Sequence, residues 1–153
     1  MDIKFSKNLS QIYWQTLCER NWIGSDIWGF FCNKNAKVDA LCVRPDYRNI
    51  LVILTDGYIY HDANKQKSGN AYSYILPMLV DNVDNLSLMA TRKNLDNLEV
   101  LMLEINPGKI TRQDKLITIL EQWLKDMEVG HFAVSGTDMP SNTRLIIDNF
   151  LRE

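Results

Sequence analysis

Apolar side chains near the start of the chain recur at the spacing of an amphipathic helix. They stand three and four residues apart, and polar side chains take the opposite side: Leu9, Ile12, Tyr13, Thr16 and Leu17 against Lys7, Gln11, Gln15 and Glu19. Ser6 precedes them, and a serine hydroxyl at this position accepts a hydrogen bond from a backbone N–H of the first turn. The pattern predicts a helix from about residue 6 to residue 20, with one face that must be buried.

Between residues 27 and 62 the pattern changes to short runs rich in β-branched and aromatic side chains. Turn residues separate these runs, which lie at about 27–33, 38–44, 50–55 and 58–62. Asp56-Gly57 favours a tight hairpin between the last two, because glycine adopts positive φ without a steric clash. The run ILVIL, residues 50–54, is apolar at every position, which is typical of a central strand covered on both faces. Together these features predict an antiparallel meander.

The second half of the chain combines predicted strands with two clear helices. Residues 86–92 and 98–105 are the predicted strands. A helix is predicted after them, with Thr111 and Asp114 as an approximate capping box. Its apolar face is made of Leu116, Ile117, Leu120, Trp123, Leu124 and Met127. The last predicted helix runs from Pro140 to about Leu151 and presents three apolar residues to the core: Ile146, Ile147 and Phe150.

One segment stays open, because proline fits the first turn of a helix but interrupts a longer one. Residues 71–82, which contain Pro77, are therefore either a short helix or irregular chain. Neither a repeat nor a linker divides the sequence, so residues 1–153 are expected to form a single α+β domain. In the predicted arrangement, a largely antiparallel sheet of about six strands packs against the N-terminal helix and the two C-terminal helices.

The composition is that of a globular domain, since 46% of the 153 residues are apolar and 24% are charged. Cys18, Cys32 and Cys42 are odd in number and lack a CxxC spacing, which favours reduced thiols in a cytoplasmic protein. The N-terminus has no apolar run of the length that a signal peptide or membrane span requires. A net charge of −2 gives no general attraction to nucleic acid or to an anionic membrane. We therefore expect a soluble cytoplasmic protein that binds neither.

The stretch GHFAVSGTDMP, residues 130–140, holds the three residue types of a hydrolytic triad: His131, Ser135 and Asp138. Residues of a strand advance by about 3.3 Å, so His131 and Ser135 would share a face at a separation of roughly 13 Å. A nucleophile and its base must approach to about 3 Å. The stretch therefore predicts no local catalytic dyad, and Ser135 and Asp138 are expected to be turn and cap residues.

The residues that could bind a metal or a cofactor do not have the spacing of any known binding motif. Two histidines and three cysteines match no zinc pattern. Gly24 and Gly29 have the spacing of a phosphate-binding loop, yet phenylalanines follow where lysine and serine are needed. Tyr58 and Tyr60 share one face of a predicted strand, as base-stacking residues do, but the chain lacks a basic surround. We predict no metal, no cofactor and no nucleic-acid partner.

Charge is distributed unevenly along the chain. Residues 1–76 hold 9 lysines and arginines against 7 acids, a net charge of +2, whereas residues 77–153 hold 8 against 12, a net charge of −4. An acidic surface attracts a basic partner, and tryptophan is a frequent anchor at protein interfaces. The predicted contact residues are therefore seven acids of the second half and one or both of two tryptophans: Asp81, Asp84, Asp96, Glu99, Glu121, Asp126 and Glu128, with Trp22 or Trp28.

In size, mild acidity and α+β organisation, the whole chain resembles small bacterial immunity proteins, such as those of contact-dependent inhibition systems. The resemblance rests on this overall profile and on no sequence motif. It implies a binding protein that neutralises one cognate toxin by occlusion. In that reading, an acidic surface covers the basic active site of a toxin domain.

Two alternatives stay open. In one, the chain is a small enzyme in which His61 or His131 is the general base, and a carboxylate brought close by the fold orients the ring. In the other, the chain is an accessory subunit of a larger complex, which a large exposed apolar patch would indicate. The oligomeric state is open in each case.

Overall fold

The structure, a computed structural model, describes residues 24–32 and 37–153, together with the single positions Gln11 and Trp14. The helix predicted from residue 6 to residue 20 lies outside the described residues except at those two positions, which are both helical and exposed. Within the described part of the chain, every helix is too short or too polar to span a bilayer.

Helices and strands are interspersed along the described chain. Their bounds, in chain order, are β1 Gly24–Ser25, α1 Ile27–Cys32, α2 Val38–Cys42, β2 Asn49–Leu54, β3 Tyr60–His61, β4 Lys67–Ser68, β5 Ala71–Tyr72, α3 Pro77–Asn82, β6 Ser87–Leu88, β7 Leu98–Ile105, α4 Ile110–Asp126, β8 His131–Gly136 and α5 Pro140–Arg152. A mixed fold of helix and strand, compatible with the α+β class, is thus confirmed, whereas the layout of the sheet differs from the expected one.

The main sheet is parallel, so the prediction of a largely antiparallel sheet is wrong. It holds three strands in the order β2–β7–β8, each parallel to its neighbour. Between β7 and β8 the chain returns through α4, a helix of 17 residues, and parallel neighbours require such a long crossover. Among the described residues, antiparallel pairing is confined to β1 with β3, β4 with β5, and one isolated bridge.

Two of the predicted strands are helices. Residues 27–33 and 38–44 contain α1 and α2 instead. Asp26 favours the first helix, because its carboxylate accepts the N–H of Gly29 at 3.0 Å, as a capping side chain does. A short apolar run suits a buried helix as well as a strand, so its pattern alone does not separate the two.

The predicted hairpin at Asp56-Gly57 does not form between β2 and β3. β2 pairs in parallel with β7, and β3 pairs with β1. Gly57 nevertheless has φ +97°, and an added Cβ would lie 2.9 Å from Cγ2 of Ile105. The glycine therefore allows a close approach to the core rather than a hairpin turn.

The run ILVIL lies at the edge of the described sheet and not at its centre. It forms most of β2, in which Val52 is 50% exposed and Leu54 is 70% exposed. The central strand is β7, which has the predicted bounds and is buried along nearly its whole length. The predicted strands 58–62 and 86–92 are reduced to β3 and β6, of two residues each.

Both predicted C-terminal helices are confirmed. α5 begins at Pro140, and α4 begins at Ile110 without a side-chain cap, so the approximate capping box of Thr111 and Asp114 is not formed. Residues 71–82, whose structure the sequence pattern does not decide, contain β5 and the short helix α3. Pro77 stands at the start of α3, where its missing N–H is not needed.

The core has two parts, one on each face of the main sheet. Among the described residues, the larger part holds 21 buried residues, including Leu98 and Met102 of β7 and five residues of α4. The smaller part holds three buried residues of the same described set, Leu101, Leu103 and Phe150, the last of which belongs to α5. β7 is therefore covered by α4 on one side and by α5 on the other.

Candidate partner-binding surface

The amino ends of β7 and β8 lie side by side, and α4 ends next to them. Glu99 of β7 stands opposite His131 of β8 in the parallel register. The turn after α4, residues 127–130, leads directly into β8, and residues 93–97 lead into β7. We call this end of the sheet, with its two connecting segments, the amino edge.

Backbone hydrogen bonds join the two segments of the amino edge. The N–H of Leu95 donates to the carbonyl of Met127 at 3.3 Å, and the N–H of Gly130 donates to the carbonyls of Leu95 and Leu98, both at 3.1 Å. A side chain at position 130 would meet the carbonyl oxygen of Asp96 at 2.1 Å, so the close contact requires glycine. Because Leu95, Leu98 and Met127 are also buried, the amino edge presents its exposed side chains on a well-packed base.

Four of the predicted contact residues are exposed at this end of the molecule: Asp96, Glu121, Asp126 and Glu128. We call these four residues the acidic edge. Across residues 24–32 and 37–153, none of their carboxylates forms an ion pair. Lys93 and Lys125 are exposed beside them, so four carboxylates stand against two ammonium groups and the surface is negative.

Neutral donors, not cations, contact two of these carboxylates. Nε2 of Gln122 donates to Asp126 at 2.7 Å, and the N–H of Asn94 donates to Glu128 at 3.1 Å. Such contacts restrict the direction of a carboxylate without cancelling its charge. The charge of the acidic edge therefore remains available to a cation from outside the described residues.

A groove of about 560 Å³ adjoins the acidic edge, between β6 and the end of α4. Its lining combines apolar and charged side chains: Ala71, Ser87, Leu88, Met89, Ala90, Lys93, Lys125, Asp126 and Glu128. The carbonyl of Met89 accepts the indole N–H of Trp28 at 2.8 Å and that of Trp123 at 3.1 Å, which fixes this wall to the core. An apolar floor with a charged rim is the usual composition of a protein interface.

Asp81 and Asp84 are not part of the acidic edge. Arg112 donates to both carboxylate oxygens of Asp81, and this contact holds the pKa of Asp81 below its usual range. Arg112 lies near the start of α4 and Asp126 at its end, roughly 21 Å apart along the helix axis. Asp84 lies in the turn after α3, where its carbonyl accepts the side-chain amide of Asn70 at 3.1 Å.

The carboxylate of Glu99 is also paired within the molecule, with the guanidinium of Arg48. Nε and Nη2 of Arg48 donate to its two carboxylate oxygens, both at 2.7 Å, and these bonds hold the pKa of Glu99 below its usual range. The same guanidinium donates to the carbonyl of Phe150 at 3.0 Å and to that of Leu151 at 2.6 Å. Glu99 therefore helps to hold the last turn of α5.

His131 belongs to the same group of contacts. Its Nδ1 lies 3.5 Å from Oε2 of Glu99, its Nε2 lies 3.1 Å from Oε2 of Glu153, and its ring stacks on Phe150 with centroids 4.5 Å apart. We call the set Arg48, Glu99, His131, Phe150 and Glu153 the α5 clamp. It lies at the same end of the sheet as the acidic edge, but the charge of Glu99 is paired with that of Arg48.

The triad residues of 130–140 are separated as expected. Residues 131–136 form the extended strand β8, so Ser135 stands roughly 13 Å from His131 along the strand. Ser135 thus lies within β8, so its prediction as a turn or cap residue is wrong, and its hydroxyl donates to the carbonyl of Gly136 at 3.2 Å. Asp138 accepts the N–H of Met139 at 2.6 Å and Nδ2 of Asn142 at 3.0 Å, which lowers its pKa and ties down the start of α5.

The other predicted histidine is engaged locally. Nδ1 of His61 accepts the N–H of Ala63 at 3.3 Å. The neighbouring Asp62 accepts the hydroxyl of Tyr60 at 2.7 Å and pairs with Lys65 at 2.9 Å. These contacts close a turn after β3. The side chains of His61 and Asp62 therefore bind different neighbours and not each other.

Neither of the two tryptophans predicted to contact a partner is found at the described surface. Trp28 is 2% exposed and lies in the larger core, so its ring has almost no surface to offer a partner. Trp22 lies outside the described residues. The groove that adjoins the acidic edge presents aliphatic and thioether side chains, those of Leu88, Met89 and Ala90.

Sequence reasoning missed the lysines and the apolar groove beside the acidic edge. Helical spacing would have found Lys125, because it stands four residues after Glu121 and three before Glu128 and so shares their side of the chain. No local pattern marks Met89 or Lys93, since the approach of β6 to α4 brings them there.

No group of three or more histidine, cysteine, aspartate or glutamate side chains in the described part of the chain is arranged to hold a metal ion. No protein-family model matches the sequence, and no curated protein or solved structure matches the chain.

Proposed function

We propose that this chain is a binding protein whose acidic edge recognises a basic surface on a protein partner. The observation that carries the proposal is the set of four exposed carboxylates that form no ion pair among the described residues. Exposed carboxylates without an ion pair give this end of the molecule a negative potential, which favours a cationic partner. The contacts inside the α5 clamp show the contrasting case, in which an acid of this chain is used for its own fold.

The adjoining groove supports a contact of more than charge. Leu88, Met89 and Ala90 provide apolar area for a partner side chain to cover, and charge alone changes the rate of encounter more than the strength of the complex. A long aliphatic side chain with a cationic head, such as lysine or arginine, fits a groove with an apolar floor and a carboxylate rim. We propose that such side chains belong to the active site of a toxin, which this chain neutralises by occlusion, as immunity proteins do.

The experiment that tests the proposal is capture of the partner from the host of origin on three immobilised baits. The first is the natural chain, and the second carries Asp96→Lys, Glu121→Lys and Asp126→Lys. The third is a matched control with the same change in charge at exposed acids elsewhere that form no ion pair within the described residues: Asp46→Lys, Asp56→Lys and Asp114→Lys. We expect one basic protein on the first and third baits, and a loss of more than about tenfold on the second. Equal capture on all three baits would refute the assignment of the acidic edge.

One observation favours a second candidate, a hydrolytic enzyme with His131 as general base. The carboxylate of Glu99 lies 3.5 Å from Nδ1, where an orienting group is needed. Against it, Nε2 faces Glu153 at 3.1 Å, and Phe150 covers one face of the ring. A substrate screen with His131→Gln and His61→Gln separates the two proposals, because only an enzyme loses turnover in one variant and keeps it in the other.

A further inference from the structure

A cavity of about 530 Å³ lies at the carboxyl end of β2, at the end of the main sheet opposite the amino edge. Its lining comes from three segments of the chain: Gly24, Ser25, Leu54, Thr55, Asp56, Tyr58, Tyr60 and Leu76. Open sheets of parallel strands bind their ligands outside the carboxyl ends of the strands. Small-molecule sites have volumes of roughly 300 to 1,000 Å³. Position and size therefore both favour a site for a small molecule.

Two tyrosine rings in the wall of this cavity are held in place through their hydroxyls. The hydroxyl of Tyr58 donates to the carbonyl of Pro107 at 3.4 Å and accepts Nη1 of Arg112 at 3.4 Å. The hydroxyl of Tyr60 donates to Asp62 at 2.7 Å. Side chains that are fixed before a ligand arrives lose little conformational entropy when it binds. The rings therefore form a preorganised aromatic wall.

Asp56 is the one charged residue in the lining of the cavity. Its carboxylate accepts the N–H of Tyr58 at 3.0 Å, and it forms no ion pair with any residue that the structure describes. The two cations that contact the tyrosines are paired with other carboxylates: Arg112 with Asp81, and Lys65 with Asp62. The cavity therefore has a carboxylate whose charge is available to a ligand.

The chain itself contains an example of an ammonium group held by a tyrosine ring and a carboxylate. Nζ of Lys65 lies 4.8 Å from the centre of the Tyr60 ring and 2.9 Å from the carboxylate of Asp62. The face of an aromatic ring attracts a cation because its quadrupole is negative there. The cavity offers the same two kinds of group, with Asp56 as the acid and Tyr58 and Tyr60 as the rings.

We propose that the cavity binds a small organic cation, an alkylated ammonium group with an apolar body. Asp56 pairs with the positive charge, the tyrosine rings contact the alkyl groups, and Leu54 and Leu76 cover the apolar remainder. Thr55 accepts the N–H of Gly57 at 3.1 Å, so its hydroxyl proton is available to a polar group of the ligand. The cavity and the acidic edge lie at opposite ends of the sheet, so this site goes beyond the proposed function and does not depend on it.

The test is a titration of the full chain with choline, followed by nuclear magnetic resonance of the backbone amides. The reference ligand is dimethylbutanol, the neutral alcohol in which a carbon atom replaces the nitrogen of choline, and sodium chloride controls for ionic strength. We expect choline to shift the signals of residues 55–60 and to bind at least about tenfold more tightly than the alcohol, a difference of about 1.4 kcal/mol. Equal affinities would overturn the assignment of a cation. Shifts confined to other residues, or none, would overturn the site.

A pair of variants tests the role of the carboxylate. Asp56→Asn removes the charge from the cavity, and Asp46→Asn removes the same charge from an exposed acid that lies outside the lining. We expect Asp56→Asn to bind choline and the alcohol equally and Asp46→Asn to keep the preference for choline. A preference that persists in Asp56→Asn, or that is lost in both variants, would contradict the proposal. Capture of a partner by the acidic edge should be unchanged in Asp56→Asn, so the two proposals fail separately.

Discussion

The acidic edge and the α5 clamp lie at the same end of the sheet and contain the same kind of residue, yet they use it differently. Glu99 of the clamp is bonded at both oxygens by Arg48, whereas Asp96, Glu121, Asp126 and Glu128 of the acidic edge form no ion pair within the described residues. The clamp also contains a buried aromatic ring, Phe150, while the acidic edge consists of exposed side chains. Acids of the clamp therefore contribute to folding, and acids of the edge are free to contribute to binding.

The largest effect on stability is expected from Phe150→Ala in the clamp. Phe150 is 3% exposed, is the only buried residue of α5 and stacks on His131, so its loss leaves the smaller core with a cavity. We expect the free energy of unfolding in urea to fall by about 3 kcal/mol. Leu151→Ala is the matched control, because Leu151 is 46% exposed and should lose less than about 1 kcal/mol. Equal losses would show that α5 is not held through Phe150.

A smaller effect, with a defined pH dependence, is expected from Glu99→Gln. The pKa of Glu99 in the folded chain lies below its ordinary value of 4.5, because Arg48 donates to the carboxylate. A depressed pKa stabilises the fold at pH values above the ordinary one, and this stabilisation is lost as the pH falls through the lowered value. Natural chain and variant should therefore differ most near neutral pH and converge in acid, as measured by urea unfolding across that range.

Glu121→Gln is the control for this pH dependence. Glu121 is exposed and, among the described residues, has no ion pair to lose. Its curve of stability against pH should run close to that of the natural chain throughout. If Glu99→Gln behaved in the same way, the bond between Glu99 and Arg48 would not stabilise the fold.

The smallest effect on stability is expected within the acidic edge itself. The double variant Glu121→Gln and Asp126→Asn removes two charges from exposed positions that form no ion pair in the described structure. We expect the free energy of unfolding to change by at most about 0.5 kcal/mol, as is usual for surface substitutions. A loss comparable to that of Phe150→Ala would mean that these acids serve the fold and are not free for a partner.

The sequence pattern predicts the helices of the second half well and the strand pairing poorly. α4 and α5 follow from long apolar stripes, and β7 from a run of eight residues between turns. The pattern of residues 27–33 favours a strand, because the apolar run IWGFFC suits the period of a strand as well as that of a helix. The hydrogen bond from the N–H of Gly29 to Asp26 favours the helix that is observed. Parallel pairing is set by the crossover through α4, which periodicity along a single strand does not reveal.

The candidate surface is predicted in part. The excess of acids in residues 77–153 predicts the four residues of the acidic edge, and equally Asp81, Asp84 and Glu99. Arg112 binds Asp81 and Arg48 binds Glu99, and the distance in sequence from Arg48 to Glu99 hides the second pairing. Residue type alone predicts Trp28 at the surface, but its indole N–H donates to the carbonyl of Met89 and its ring packs in the larger core.

The most direct test of the division between clamp and edge is a calorimetric titration of the captured partner against the natural chain and against the variant Asp96→Lys, Glu121→Lys and Asp126→Lys. We expect one-to-one binding to the natural chain, weakened by added salt and weakened more than about tenfold by the three substitutions, with the free energy of unfolding unchanged. An affinity that responds neither to salt nor to the three substitutions would contradict the assignment of this acidic surface to partner recognition.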